Sequence, residues 1–337
     1  MRILTRHSRD ELRLGWLRIV ARLAVDRDVG SPELISDVRQ LAAGRYDGWI
    51  AAAGLEIEPR GPFSEEVVPR LVAMASRFGV YDPDRQSLTD LGRTLAEAER
   101  LVPGAVDGSP FEWPLPLRYI GLRVLLGADG DLTTEILRGF PEGALRSPRQ
   151  LIAEIAAKLV ERAMEPEGLL ELKRLAAHTK NRDDRQREYN QTVYPLLEPL
   201  RELGYLTRLR QERAVRYVLT PAGAHLRAAL RRDDDDTDAT VLLKQRFSRM
   251  FIEAELSGRE IDMAHPGLTE IRATLLGLPR SLLGATGFEA PLEPVVLLTQ
   301  VRLLRDRPGA WVELAPTADL LGELARVTEG RIGLKAG

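Results

Sequence analysis

One pattern, Leu-Thr-x-x-Gly-x-x-Leu set a short hairpin after a helix-ending glycine, occurs twice in this chain and limits what it can fold into. The clearer copy lies in Leu200–Leu230. An amphipathic helix stops at Leu203-Gly204, the glycine supplying a left-handed end. Tyr205–Leu209 alternates and is rich in strand formers, Arg210–Arg213 forms a polar tip, and Val215–Leu219 returns as a second strand. Thr220 then caps a new helix with Pro221 at its first position. The other copy runs from Phe78-Gly79-Val80-Tyr81 through Asp82-Pro83-Asp84 to Leu88-Thr89-Asp90-Leu91-Gly92. The glycines are 125 residues apart and the Leu-Thr pairs 131, so the second hairpin is six residues longer. A weaker third copy is read at Leu314–Leu321, after Val295–Leu304.

A helix, a β-hairpin and a capped helix in this order resemble the closing half of a winged helix. The expected fold class is therefore mainly α with short β-hairpin wings, as two or three winged-helix domains in series. The boundaries read as 1–105, 106–232 and 233–337, with Pro103–Pro116 as a linker or docking loop and Asp233–Asp236 in a solvated linker. Helices are expected over Ser8–Val25, from Ser31-Pro32 to about Ala43, from Ser64 to Phe78, over Val241–Leu256 and over Leu268–Leu276, while Pro294–Leu304, a turn at Arg307-Pro308-Gly309, Trp311–Leu314 and Thr317–Val327 complete the possible third unit. A further helix, Arg118–Leu126, is expected to turn at Gly127-Ala128-Asp129-Gly130 before another starts at Leu132.

Charge is divided unevenly. The net charge is −2 overall, yet residues 169–232 carry 14 basic and 7 acidic side chains, a balance of +7. The other three segments are each net negative. Such a patch is the electrostatic footprint of phosphate binding. Its most hydrophilic part, Thr179–Thr192, leads into the Val193, Leu196, Leu197, Leu200 and Leu203 face, the place of a recognition helix. Arginine reads guanine bidentately, and asparagine or glutamine reads adenine. The expected DNA contacts are Lys180, Arg182, Arg185, Arg187, Asn190 and Gln191 in the approach, with Arg208, Arg210, Arg213 and Arg216 on the wing. Pro195 and Pro199 sit poorly inside a helix, which places the helix start near Val193.

Other chemistries find little support. Cysteine is absent, and the four histidines, His7, His178, His225 and His265, are scattered singly. No catalytic residue, cofactor site or metal site is expected. Glu171-x-Lys173 superficially fits a nuclease motif, but its leucine-rich setting is helical. No apolar run is of membrane-spanning length, so a soluble, cytoplasmic protein is expected.

The order of motifs resembles the recognition half of FokI-type restriction endonucleases. Phe78-Gly79-Val80 with Leu88–Gly92 comes first, then Pro114–Leu126 and Gly130-Asp131-Leu132-Thr133. Leu203-Gly204-Tyr205 with Leu219–Gly223 comes after these. The resemblance implies double-stranded-DNA recognition in restriction-modification, antiviral defence or genome maintenance. Those enzymes carry a separate nuclease domain, and nothing comparable follows Gly337. The expectation is thus recognition without cleavage, with the acidic C-terminal segment serving a protein partner such as a catalytic subunit. A transcriptional regulator and a winged-helix interaction scaffold are the alternatives.

Overall fold

A computed structural model describes residues 13–26, 28–54, 68–141, 143, 145–147, 151, 154, 194–211, 214–231, 243, 246–256, 271, 273–274, 276–277, 282, 289–312, 325–328 and 331–334. The molecule is mainly helical with small antiparallel sheets. The first unit holds α1 (Gly15–Ala24), α2 (Ser31–Ala42), α3 (Tyr46–Ala52), α4 (Val68–Arg77), strands β1 (Tyr81–Asp82) and β2 (Ser87–Leu88), and α5 (Asp90–Leu101). A long helix, α6 (Leu115–Arg138), comes next. Then come α7 (Tyr194–Glu202), β3 (Leu206–Gln211), β4 (Ala214–Leu219), α8 (Pro221–Arg231) and α9 (Phe247–Glu255). Strand β5 (Glu289–Pro291), α10 (Leu292–Asp306), β6 (Ala325–Thr328) and β7 (Arg331–Leu334) lie nearest the C-terminus.

The repeated pattern folds into the same turn twice. Gly79 and Gly204 both take positive φ, 68° and 81°, a conformation that costs glycine little. The next residue bonds back into the helix it leaves: Val80 N–H to Ala75 O at 2.9 Å, Tyr205 N–H to Leu200 O at 2.8 Å. Thr89 and Thr220 then accept the N–H of Gly92 and Gly223 at 3.1 and 3.0 Å. Each hydroxyl also donates to the carbonyl of its helix-ending glycine. A cap of this kind is worth about 1 kcal/mol. Gly92 and Gly223 are required by space, because a Cβ there would collide with the carbonyl oxygens of Val80 and Tyr205.

The hairpins share a second feature. The segment ahead of an upstream helix pairs with the returning strand. Val29 N–H donates to Gln86 O at 2.8 Å, just before β2. Arg146 exchanges two bonds with Tyr217 of β4, at 2.9 and 3.0 Å. β5 pairs with β7, giving the sheet order β5-β7-β6. The C-terminal unit thus has a full third strand against its returning strand, where the second unit has the isolated Arg146–Tyr217 bridge. Its β6–β7 hairpin comes after Leu314–Leu321, the third copy of the pattern, which lies outside the described residues.

Two expectations are corrected. The Gly127–Gly130 turn does not form, since α6 runs unbroken from Leu115 to Arg138. Two glycines cost roughly 1 kcal/mol each in a helix, but Val124, Leu125, Leu126, Ala128 and Leu132 are buried along this stretch. Burying several such side chains, each worth about 1.5–3 kcal/mol when large and apolar, decides for the helix. Within the Thr317–Val327 stretch, Ala325 begins a strand paired with Leu334 across the hairpin. The helix expected over Val241–Leu256 is interrupted at Arg246, a turn residue with φ −139°, before α9 begins.

Residues 102–114 form a docked loop, and Leu115 and Pro116 already belong to α6. Phe111 and Trp113 are buried, and Phe111 meets Trp16 edge-on at 5.4 Å between ring centres. Arg18, 1% exposed, ties the loop down. Its guanidinium pairs with Glu99 of α5 and donates to the carbonyls of Ala105, Pro110 and Glu112. Burial lowers the Arg18 pKa, and Glu99 works against that shift. Arg22 supplies Glu99 with a second cation at 2.5 Å.

α6 is the element that the segments share. It packs against α5, α7, α8, α9 and α10. Tyr119 of α6 meets Phe247 and Phe251 of α9, with ring centres 4.9 and 5.2 Å away. α10 is buried along nearly its whole length, from Leu292 to Leu304. It lies on α5 and α6, where Arg305 donates to Leu101 O at 3.0 Å.

Candidate nucleic-acid interface

The β3–β4 hairpin is the longest of the described ladders, with six paired positions from Leu206↔Leu219 to Gln211↔Ala214. Glu212 and Arg213 stand between the last pair. Side chains alternate across a strand, so the register assigns each position to a face. Leu206, Arg208, Tyr217 and Leu219 share the inner face, on which Leu206 and Tyr217 are buried. Thr207, Leu209, Arg216 and Val218 share the other face. Arg216 is exposed there, and Leu209 retains 38% exposure.

Of the expected contact residues, Arg216 is therefore placed facing outward. Arg208 is turned into the protein: its side chain is 12% exposed and meets Glu198 at 3.4 Å. The ladder pairs position 210 with Val215. The Arg210 side chain, Arg213, and Lys180, Arg182, Arg185, Arg187, Asn190 and Gln191 lie outside the described residues. Glu171 and Lys173 do as well.

α7 is described from Tyr194, with Pro199 retained inside it, and the start expected near Val193 lies at the edge of the described residues. Leu197, Glu198, Pro199, Leu200 and Leu203 are all buried. The described side chains of this helix from Leu197 to Leu200 are committed to packing.

Two carboxylates in α7 have roles that the sequence pattern does not announce. Glu198 accepts from the Tyr217 hydroxyl at 2.5 Å and from Arg201 at 2.7 Å, and Arg208 joins them. Burial, followed by the Glu198 charge, raises the Tyr217 phenol well above its ordinary pKa. Glu198 therefore fixes the base of the hairpin to the helix before it. Glu202 reaches the first unit instead. It accepts the N–H groups of Leu14 and Gly15 at 2.7 Å each and the Trp113 indole N–H at 2.8 Å. α1 has no side-chain cap of its own, and Glu202 supplies one from 188 residues away.

The first hairpin is built differently. Its strands are two residues each. The Asp82 carboxylate accepts the N–H of Asp84 and Arg85 at 3.0 and 3.1 Å, closing a tight acidic turn. Arg70 and Arg77 are exposed on α4, opposite buried Leu71 and Met74. Among the described residues no group of three or more histidines and carboxylates could hold a metal ion. No described helix is long and apolar enough to cross a membrane.

No family model matches the chain, and comparisons with curated proteins and with solved structures found no match.

Proposed function

We propose that this chain is a double-stranded-DNA-binding recognition protein built from winged-helix units in series. It works without a catalytic site of its own, as a recognition subunit of a restriction, phage-defence or genome-maintenance system. The observation that carries the reading is the second unit. Its hairpin ladder comes after a helix whose start is preceded by the basic segment Lys180–Gln191, and it carries Arg216 on its outward face. The hairpin and that segment fall within the one part of the chain with excess positive charge, 14 basic against 7 acidic side chains.

In this reading the wing positions the protein on phosphates, while Asn190, Gln191 and neighbouring arginines read base edges. The acidic first hairpin takes little part. The acidic C-terminal segment, tied to the rest of the chain by the buried α10, is the side that meets a protein partner. Fluorescence anisotropy of full-length protein against random duplex and single-stranded DNA tests the reading. Selection of bound fragments from a random duplex pool then tests for sequence preference. Tighter duplex binding with an enriched motif supports it, and no binding to either form at low salt contradicts it.

An interaction scaffold is the second reading. Leu209 favours it, being an apolar side chain exposed beside Arg216. That reading predicts no salt-sensitive DNA binding.

A further inference from the structure

Tyr217 of the long hairpin is held from two sides. Its hydroxyl donates to Glu198 Oε1 of α7 at 2.5 Å. Its main chain exchanges two bonds with Arg146, at 2.9 and 3.0 Å. The other Glu198 oxygen accepts from Arg201 at 2.7 Å, and Arg208 stands farther off, at 3.4 Å from Oε1. Both Glu198 and Tyr217 are buried, so their bond fixes a point of β4 against α7 away from water.

The first unit has no such bond. Gln86 stands where Tyr217 does, two residues before the leucine of the Leu-Thr pair. Its carbonyl likewise accepts an N–H, from Val29. Ala73 stands where Glu198 does, six residues before the helix-ending glycine, and it is exposed. The glycine turn and threonine cap form in both units, so neither depends on the carboxylate. Glu198 therefore accompanies the long hairpin and is missing from the short acidic one. A buried ion pair adds little net stability, and this one puts a negative charge into the segment with excess positive charge. Arg201 and Arg208 offset that charge. What the carboxylate contributes is direction, because a short bond to an ionised acceptor is among the stronger and more specific contacts a side chain makes.

We propose that Glu198 is a positioning residue for DNA binding: through Tyr217 it sets the angle of the β3–β4 wing to α7, holding Arg216 where it reaches the phosphates of a duplex that α7 faces. The role rests on the DNA-binding reading given above, and one arm of its test contains no DNA.

Spin labels at Thr207→Cys and Ala228→Cys report the wing against the body of the protein. Both positions are exposed, and the chain has no cysteine of its own. α6 packs on both α7 and α8, so a label on α8 shares the frame of α7. Without DNA the labelled parent should give one narrow distance distribution. Tyr217→Phe, which removes only a hydroxyl, should broaden or displace it. In full-length protein without labels, Tyr217→Phe should flatten the salt dependence of duplex binding by roughly 0.9, the slope of one phosphate. Adding Tyr217→Phe to Glu198→Ala should change neither readout further, since the two substitutions break the same bond. Denaturant melts establish that each variant is folded. If folded Tyr217→Phe keeps either the parent's distances or the parent's salt slope, the positioning role is overturned while the DNA-binding reading stands. A parent that binds no duplex DNA overturns both.

Discussion

Thr89 and Thr220 close two copies of one turn with matching hydrogen bonds, each hydroxyl accepting an N–H three residues ahead and donating to the glycine carbonyl that ends the preceding helix. The match extends to Gly92 and Gly223, each pressed against the backbone of its own hairpin. Two stretches that share only a few residue types thus solve one packing problem in one way.

Gly92→Ala and Gly223→Ala should each destabilise the protein, by about 1–3 kcal/mol or more, because the added methyl meets a backbone oxygen that cannot turn aside. Gly48→Ala is the control. Gly48 lies in α3 with open space around its Cβ position, so alanine should stabilise by about 0.5–1 kcal/mol. Denaturant melts of the three variants decide this. Equal effects at all three sites would remove the shared-turn account.

Glu99→Ala should cost about 3–5 kcal/mol, since it leaves the Arg18 guanidinium buried without its carboxylate. The same variant should expose the 102–114 loop to protease. In the parent protein that loop should resist cleavage, because Phe111 and Trp113 are buried and Arg18 holds its carbonyls.

Stability should fall as pH rises from about 4.5 toward 7. The Glu202 carboxyl lies near 7 when folded, above its ordinary value of 4.5. A raised carboxyl contributes stability that is fully present below the unfolded value and is lost as pH rises through the folded one. Glu97 and Glu255 are raised as well, mainly by burial, and act in the same direction. Denaturant midpoints at pH 5, 6, 7 and 8 should show the decline, and Glu202→Gln should flatten it.

Parts of this structure are legible in the sequence because their residues make local demands. Gly79 and Gly204 take the left-handed conformation their helix ends require, and Thr89 and Thr220 cap the helices that begin after each hairpin, so both turns can be read from residue types alone. The long α6 cannot. Gly127 and Gly130 carry a local penalty, and only the burial of their neighbours against α8, α9 and α10 overrides it. Glu198 and Glu202 look like ordinary acids on an amphipathic helix. Their donors stand 19 and 188 residues away, and no local pattern announces a partner at that range. Arg208 reads as a wing contact for the same reason, since its inward turn is set by Glu198.

Purified protein with Mg²⁺ or Mn²⁺ should leave duplex and single-stranded DNA intact, as a recognition protein without its own nuclease site would. Gel analysis after long incubation checks this. Cutting that disappears in Glu171→Ala would replace the recognition reading with a nuclease one.

The central claim is that the second unit's wing grips DNA, and a salt titration of duplex binding tests it most directly. Log affinity should fall linearly with log salt, by roughly 0.9 per phosphate neutralised. Combined Arg210→Ala, Arg213→Ala and Arg216→Ala substitution should weaken binding to all sequences alike and flatten the slope by about one unit for each phosphate left without its arginine. Arg208→Ala should leave the slope unchanged, because that side chain faces Glu198. Replacing Asn190 or Gln191 should instead shift preference among sequences, by about 1–3 kcal/mol per bidentate pair. Wing variants that bind duplex DNA as tightly as the parent at every salt concentration would contradict the account.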